Sequence, residues 1–412
     1  MANLLADVIE TITSATDAVR NRDEAALFAG QSRESLLRVA EGLEFFRKQS
    51  NNLYHRVRAC LFLHAIYRYH LIDRKDVPKT GRIPYEGIRA ALNREFDAAI
   101  ELYRAEMMAQ GCNEALLSAL AQAYYDLAFS YLLDQVRQSV RTSRGNEWMF
   151  QPATARRFPL RAHRSYLRRD PASGLYPVGV DACPVRADPS HSGWSDIFFL
   201  GMDFPEGARV VNFSVDLAVR GKGAPVPPCE CYCRFIEEPV IRLVSVDLAC
   251  DKTVSTIGEL FNFGNDHLSL IKAGVIASGV VPPACEKAGV RLESILRALL
   301  GRKGGFELVT RVRDIPKGSR LAVSTNLLAT IITRLMRFSG QIPSQTGGLT
   351  EDQRRQVASR AILGEWLGGS GGGWQDSGGI WPGVKVIEGV AAARGDPEFG
   401  ISRGRLLPRH TV

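Results

Sequence analysis

No run of apolar residues in this chain approaches the roughly 18 that a membrane-spanning helix requires, which excludes an integral membrane reading by helices. A secretory leader is not expected either: Met1–Glu10 carries early acids where a leader has a basic flank and an apolar core, and reads as an amphipathic helix. The eight cysteines, at 60, 112, 183, 229, 231, 233, 250 and 285, lack the paired spacing of a disulfide framework or a zinc ribbon, so reduced thiols and a cytoplasmic setting are expected. Cys229, Cys231 and Cys233 alternate, which in a strand places all three on one face; with no fourth ligand nearby, buried core thiols are expected ahead of a soft-metal site. Charge of one sign is also scarce: the net +8 is small for 412 residues. Six arginines (156, 157, 161, 164, 168 and 169) share one short segment, but no aromatic-interleaved nucleic-acid motif accompanies them, so a solvated connector is expected and nucleic acid is not.

Length and a 45% hydrophobic composition support two or three domains with real cores. Residues 1–148 hold little glycine and long 3.6-residue patterns, such as Leu36, Leu37, Val39, Ala40, Leu43 and Phe46, then Val57, Leu61, Leu63, Ile66 and Tyr67. Further helices fit 88–107 and 114–140, which predicts a bundle of five or six helices. Residues 149–177 turn to Arg and Pro and read as a connector. After it, strands are expected at 210–219, 231–236, 240–248 and 306–312, and helices at 268–278, 283–300, 324–338 and 352–367, an α+β arrangement.

Three segments of residues 178–412 carry chemistry. Gly193-Trp194-Ser195-Asp196 follows Pro184-Val185-Arg186-Ala187-Asp188; an Asp on a tight turn beside a Trp suits a sugar, with the carboxylate accepting hydroxyls and the indole covering a ring face. Pro316-Lys317-Gly318-Ser319-Arg320-Leu321-Ala322-Val323-Ser324-Thr325 leads into an apolar helix, whose free N–H groups and dipole suit phosphate; taken alone, Ser324 or Thr325 would read as a helix cap. The glycine-dense run Gly368–Gly379 encloses Trp374, Gln375 and Asp376, and glycine there allows close approach to the backbone.

In this order the segments resemble the GHMP sugar-kinase superfamily, closest to its fucokinase branch, over residues 175–390. The last, with Gly373-Trp374-Gln375-Asp376, is the most specific; Asn262-Phe263-Gly264-Asn265-Asp266-His267-Leu268 is similar to the same branch. The resemblance implies an all-helical N-terminal domain followed by an α+β kinase lobe of the ribosomal protein S5 domain 2-like type, using ATP and Mg²⁺ on a monosaccharide, fucose-like or heptose-like, at the anomeric hydroxyl. It gives Asp376 the role of base with Arg186 beside it, and sugar contacts to Gly193, Trp194, Asp196, Gly373, Trp374 and Gln375. ATP falls to Lys317, Gly318, Ser319, Arg320, Leu321, Ala322, Ser324 and Thr325, and Mg²⁺ to Ser324 and Glu365. Arg320, Ala322 and Val323 depart from the family loop, where the first two positions are glycine and the third carries a hydroxyl. The family's closing ferredoxin-like lobe is not legible before Val412, so a second polypeptide supplying it is an expected partner; a non-catalytic sensor and a helical interaction module are the alternative readings.

Overall fold

The computed structural model describes residues 4–140, 160–187, 209–263, 267–286, 288–316, 318–368, 374–391, 393, 396 and 404–409. The chain divides into two compact units, residues 1–135 and 136–412.

The first unit is helical. Its longer helices are α1 (Leu4–Thr13), α2 (Arg33–Gln49), α3 (Leu53–Ala65), α4 (Tyr85–Leu92), α5 (Phe96–Gln110) and α6 (Glu114–Val140). Ser32 and Asn52 begin α2 and α3 by accepting from the backbone N–H of Ser35 and His55, which satisfies donors the first turn leaves open. The single helix expected over 88–107 is two: the chain breaks after Leu92, where Arg94 takes a φ of 63°. Val8, Leu36, Val39, Leu43, Leu63, Ile100, Leu117 and Tyr124 form the core. Inside it Arg47 donates to Glu44 at 2.7 Å, and the Tyr124 hydroxyl donates to the same carboxylate at 2.9 Å.

The second unit is built on two sheets. One has five strands in the order β1-β4-β7-β5-β6: β1 (Val178–Cys183), β4 (Cys229–Ile236), β5 (Ile241–Ser245), β6 (Cys250–Val254) and β7 (Gly305–Val312). All its pairings are antiparallel except β5 with β7. The other sheet runs β2-β3-β8-β9, from β2 (Val185–Ala187), β3 (Arg209–Val215), β8 (Val384–Ala391) and β9 (Gly404–Arg409). Pro184 separates β1 from β2, so the chain leaves the first sheet for the second at a residue that has no N–H for a ladder.

Four helices follow the expected pattern: α7 (Ser269–Ala277), α8 (Leu292–Leu300), α9 (Val323–Phe338) and α10 (Glu351–Gly368). The helix expected from 283 starts instead at Leu292, because only a single 3₁₀ turn forms at Pro283–Cys285 and Gly289 turns with φ 63°. Helix α9 lies on β1, β4 and β7, with α7 and α10 packed on its far side. Cys229, Cys231 and Cys233 are fully buried on one face of β4, where Cys229 reaches the start of α9. Burial pushes all three thiols up, which keeps them protonated and inert. Their full burial on the inner face of β4 makes them core residues.

Candidate active site

Helix α9 starts without the usual cap. Its N-cap is Ala322, which makes no side-chain hydrogen bond and sits in the left-handed region at φ 53°. Arg320 has φ 58° and Gly318 φ 78°. Arg320 and Ala322 therefore hold a conformation that favours glycine, at a cost of about 1–2 kcal/mol each. The first N–H groups of the helix have no cap from Ala322, and the loop opens onto a cleft of about 520 Å³. Gly318 to Ser324 form one wall of that cleft, and Leu248, Leu270, Ile271 and Ile315 give it an apolar side. Ser324 lines the cleft, whereas the Thr325 hydroxyl turns inward and donates to Glu365 Oε1 at 2.6 Å. Glu365, on α10, is fully buried.

Asp376 stands on a 3₁₀ segment, Trp374–Ile380, and forms an ion pair with Arg186 of β2. Arg186 is nearly buried and Asp376 is about one-fifth exposed, so the carboxylate is the accessible end of the pair. Two further links tie this pair to the phosphate-type loop. The Arg186 N–H donates to the Leu321 carbonyl at 3.1 Å. The Asn326 side-chain amide donates both to the Ala322 carbonyl, at 2.8 Å, and to the Asp376 carbonyl, at 3.1 Å. One buried amide thus fixes the loop and the acidic turn to the same helix.

The glycines after Asp376 have a steric reason. A Cβ on Gly379 would lie 2.3 Å from Asn326 Oδ1 and 2.5 Å from the Pro184 carbonyl, and one on Gly378 would lie 2.3 Å from Asn212 Oδ1. Beneath the turn, Lys385 of β8 is fully buried and donates to Ser214 Oγ at 3.0 Å, and Ser214 donates to the Gly378 and Trp381 carbonyls. Burial lowers the Lys385 ammonium from 10.5 to about 8.

Of the residues expected from sequence, Arg186, Asp376, Leu321, Ala322, Thr325 and Glu365 are held in this connected set, and Gly318, Ser319, Arg320 and Ser324 line the cleft. Gly193, Trp194, Asp196, Lys317 and Gly373 lie outside the described residues; Trp374 and Gln375 contribute backbone to the turn. Asn326, Asn212, Ser214 and Lys385 were not expected; among them only Lys385 stands close in sequence to the acidic turn.

An uncapped helix end thus lies on a cleft, and an arginine-held carboxylate is tied to it through Asn326. A stretch covering 55% of the chain is 30% identical, over 230 residues, to the L-fucokinase/L-fucose-1-P guanylyltransferase of Bacteroides fragilis, and covers 21% of that protein. A stretch covering 29% of the chain is 27% identical, over 122 residues, to the bifunctional fucokinase/GDP-fucose pyrophosphorylase of Arabidopsis thaliana, and covers 9% of it. About half of this chain is thus similar to a fucokinase, and the match spans about a fifth of the longer bacterial relative. No family model matches the chain. Among solved structures, a galactokinase of Lactococcus lactis complexed with galactose overlays with a TM-score of 0.32 at 15% identity, covering 56% of this chain and 47% of that one. A mevalonate kinase of Methanococcus jannaschii overlays at 0.33 and 12%, covering 52% and 54%.

Proposed function

We propose that the second unit transfers the γ-phosphoryl group of ATP to a hydroxyl of a monosaccharide, fucose-like or heptose-like, at the anomeric position. The observation that carries this reading is the Asn326 amide, which joins the loop on the cleft to the turn bearing Asp376. The triphosphate lies over Gly318–Thr325, where the open N–H groups and the dipole of α9 meet negative charge, and Arg320 and Lys317 add cations. Ser324 and Glu365 are the residues offered to Mg²⁺, an ion that takes one or two protein oxygens and fills its shell with phosphate and water. That ion supplies charge neutralisation on the phosphates when bound.

The sugar oxygen attacks the γ-phosphorus as the bond to the β-phosphate oxygen breaks, ADP leaves, and the hydroxyl proton passes to Asp376. Arg186, paired with Asp376, offsets charge during the step. Gly193, Trp194, Asp196, Gly373, Trp374 and Gln375 are the sugar-side residues of this reading, and a polypeptide that closes over the phosphates is its partner.

The test is sugar-dependent ADP release from Mg-ATP over a panel of monosaccharides that includes fucose and heptoses. Asp376→Asn is expected to lower the rate about 10²–10⁴-fold, the range for losing a general base, with ATP binding retained. Nucleotide binding with no sugar-dependent turnover would favour the non-catalytic sensor.

A further inference from the structure

The helical unit holds a second cleft, of about 510 Å³, walled by α2, α5 and the turns around Asp76 and Cys112. Three arginines line it: Arg33 and Arg38 from α2, and Arg104 from α5. Arg33 is engaged, donating to the Asp76 carbonyl at 2.6 Å and to Glu34 at 2.9 Å. The Asp76 carboxylate is likewise held, by Arg74 at 2.9 Å. Arg38 and Arg104 have no ion pair or hydrogen bond among the described residues. Glu41 at the rim is the remaining acid of the lining, so the cleft keeps an excess of positive charge.

The floor is Tyr67, 1% exposed, its ring stacked parallel to that of Tyr124 at 5.9 Å. Among the described residues its hydroxyl has no hydrogen-bond partner. Buried tyrosine hydroxyls ordinarily find one, and this hydroxyl is not shut away from the cleft that Tyr67 lines. The stack fixes the ring, so the missing acceptor has to come from the cleft. Burial also pushes the phenol well above its ordinary range, so the group is a neutral O–H donor. Leu37 and Met107 supply an apolar wall.

We propose that this cleft binds a small organic phosphate, with the phosphate oxygens accepting from Arg38, Arg104 and the Tyr67 hydroxyl and the organic body against Leu37 and Met107. Two open guanidiniums and an O–H make a donor array that suits phosphate oxygens. The volume exceeds the needs of an inorganic ion and falls within the range of about 300–1,000 Å³ usual for small-molecule sites. The inference does not rest on the kinase reading, because every residue in it belongs to the first unit.

Cys112 lines the same cleft and is half-buried, which gives a local readout in the full chain. Its alkylation by iodoacetamide, followed on its own peptide, is measured with AMP and with glucose 1-phosphate, and with adenosine and glucose as uncharged controls. At least one phosphate is expected to slow alkylation about tenfold or more, the effect of a few charge-assisted hydrogen bonds, and the uncharged controls are not. Arg38→Gln, at an exposed residue, and Arg104→Gln should each abolish the protection. Tyr67→Phe, which keeps the stack, should weaken it. Unchanged alkylation with both phosphates, equal protection by adenosine or glucose, or protection that survives both arginine variants would each overturn the proposal.

Discussion

Lys385 is a cation inside the fold whose hydrogen bonds go to neutral oxygens, Ser214 Oγ and the Gly383 carbonyl. Its ammonium falls from 10.5 to about 8 because burial penalises the charged form. In the unfolded chain the same group stays protonated to about pH 10.4. Between these values the unfolded state binds more protons than the folded one, so the contribution of this residue to stability rises with pH, and its penalty is fully present below about pH 8. Lys385→Met removes the titration and keeps the volume. From about pH 7 to pH 10.5 the stability of the natural protein relative to this variant should therefore rise by up to about 3 kcal/mol, read by urea unfolding at each pH. A relative stability that stays flat across this range, or falls, would show that Lys385 titrates in the folded state as it does in water. The comparison with the variant matters, because buried thiols such as Cys183, pushed up to about 12, act in the opposite direction in both proteins.

At the scale of elements, the acidic turn works because two glycines let it sink between β3, α9 and the crossing at Pro184. Gly379→Ala would press its methyl on the Pro184 carbonyl, a backbone atom with little freedom to give, and on the Asn326 side chain. Overpacking of this kind costs about 1–3 kcal/mol, and here it also displaces the amide that holds Asp376. A lowered Tm together with loss of the proposed phosphoryl transfer is expected; an unchanged melt would mean that the turn tolerates a side chain. This geometry was only partly legible in sequence. Helix α9 was expected at 324–338 and runs over Val323–Phe338, because its apolar period is strong and its length unbroken. Strand β1 was not expected, since its pattern is inverted. Val178 and Val180 face out, while Asp181 faces in, where Arg334 and Arg337 of α9 meet it at 3.0 and 3.2 Å. Strand β8 likewise turns a lysine inward. A rule that places apolar side chains inside fails where the interior holds paired or hydrogen-bonded charge. Asn326 was missed for a different reason: an asparagine within a helix belongs to no motif, and its partners, Ala322 and Asp376, are 4 and 50 residues away.

For the whole molecule, each of the two units has its own core, and the chemistry of the chain is unevenly shared between them. All five tryptophans (148, 194, 366, 374 and 381) lie in residues 136–412, so tryptophan fluorescence reports on the second unit, whereas far-ultraviolet circular dichroism is weighted to helix and reports on both. Glu44 is the acid at the centre of the first core, accepting from Arg47 and from the Tyr124 hydroxyl. Glu44→Ala leaves the hydroxyl buried without that partner and the guanidinium with Asp97 alone, at 2.7 Å, which costs about 1–3 kcal/mol. If the units unfold independently, this substitution moves the midpoint of the dichroism transition to lower urea and leaves the fluorescence midpoint where it was. A fluorescence midpoint that moved with it would show that the two cores unfold as one cooperative body, and a loss of the proposed phosphoryl transfer in the same variant would then be a stability effect transmitted across the chain.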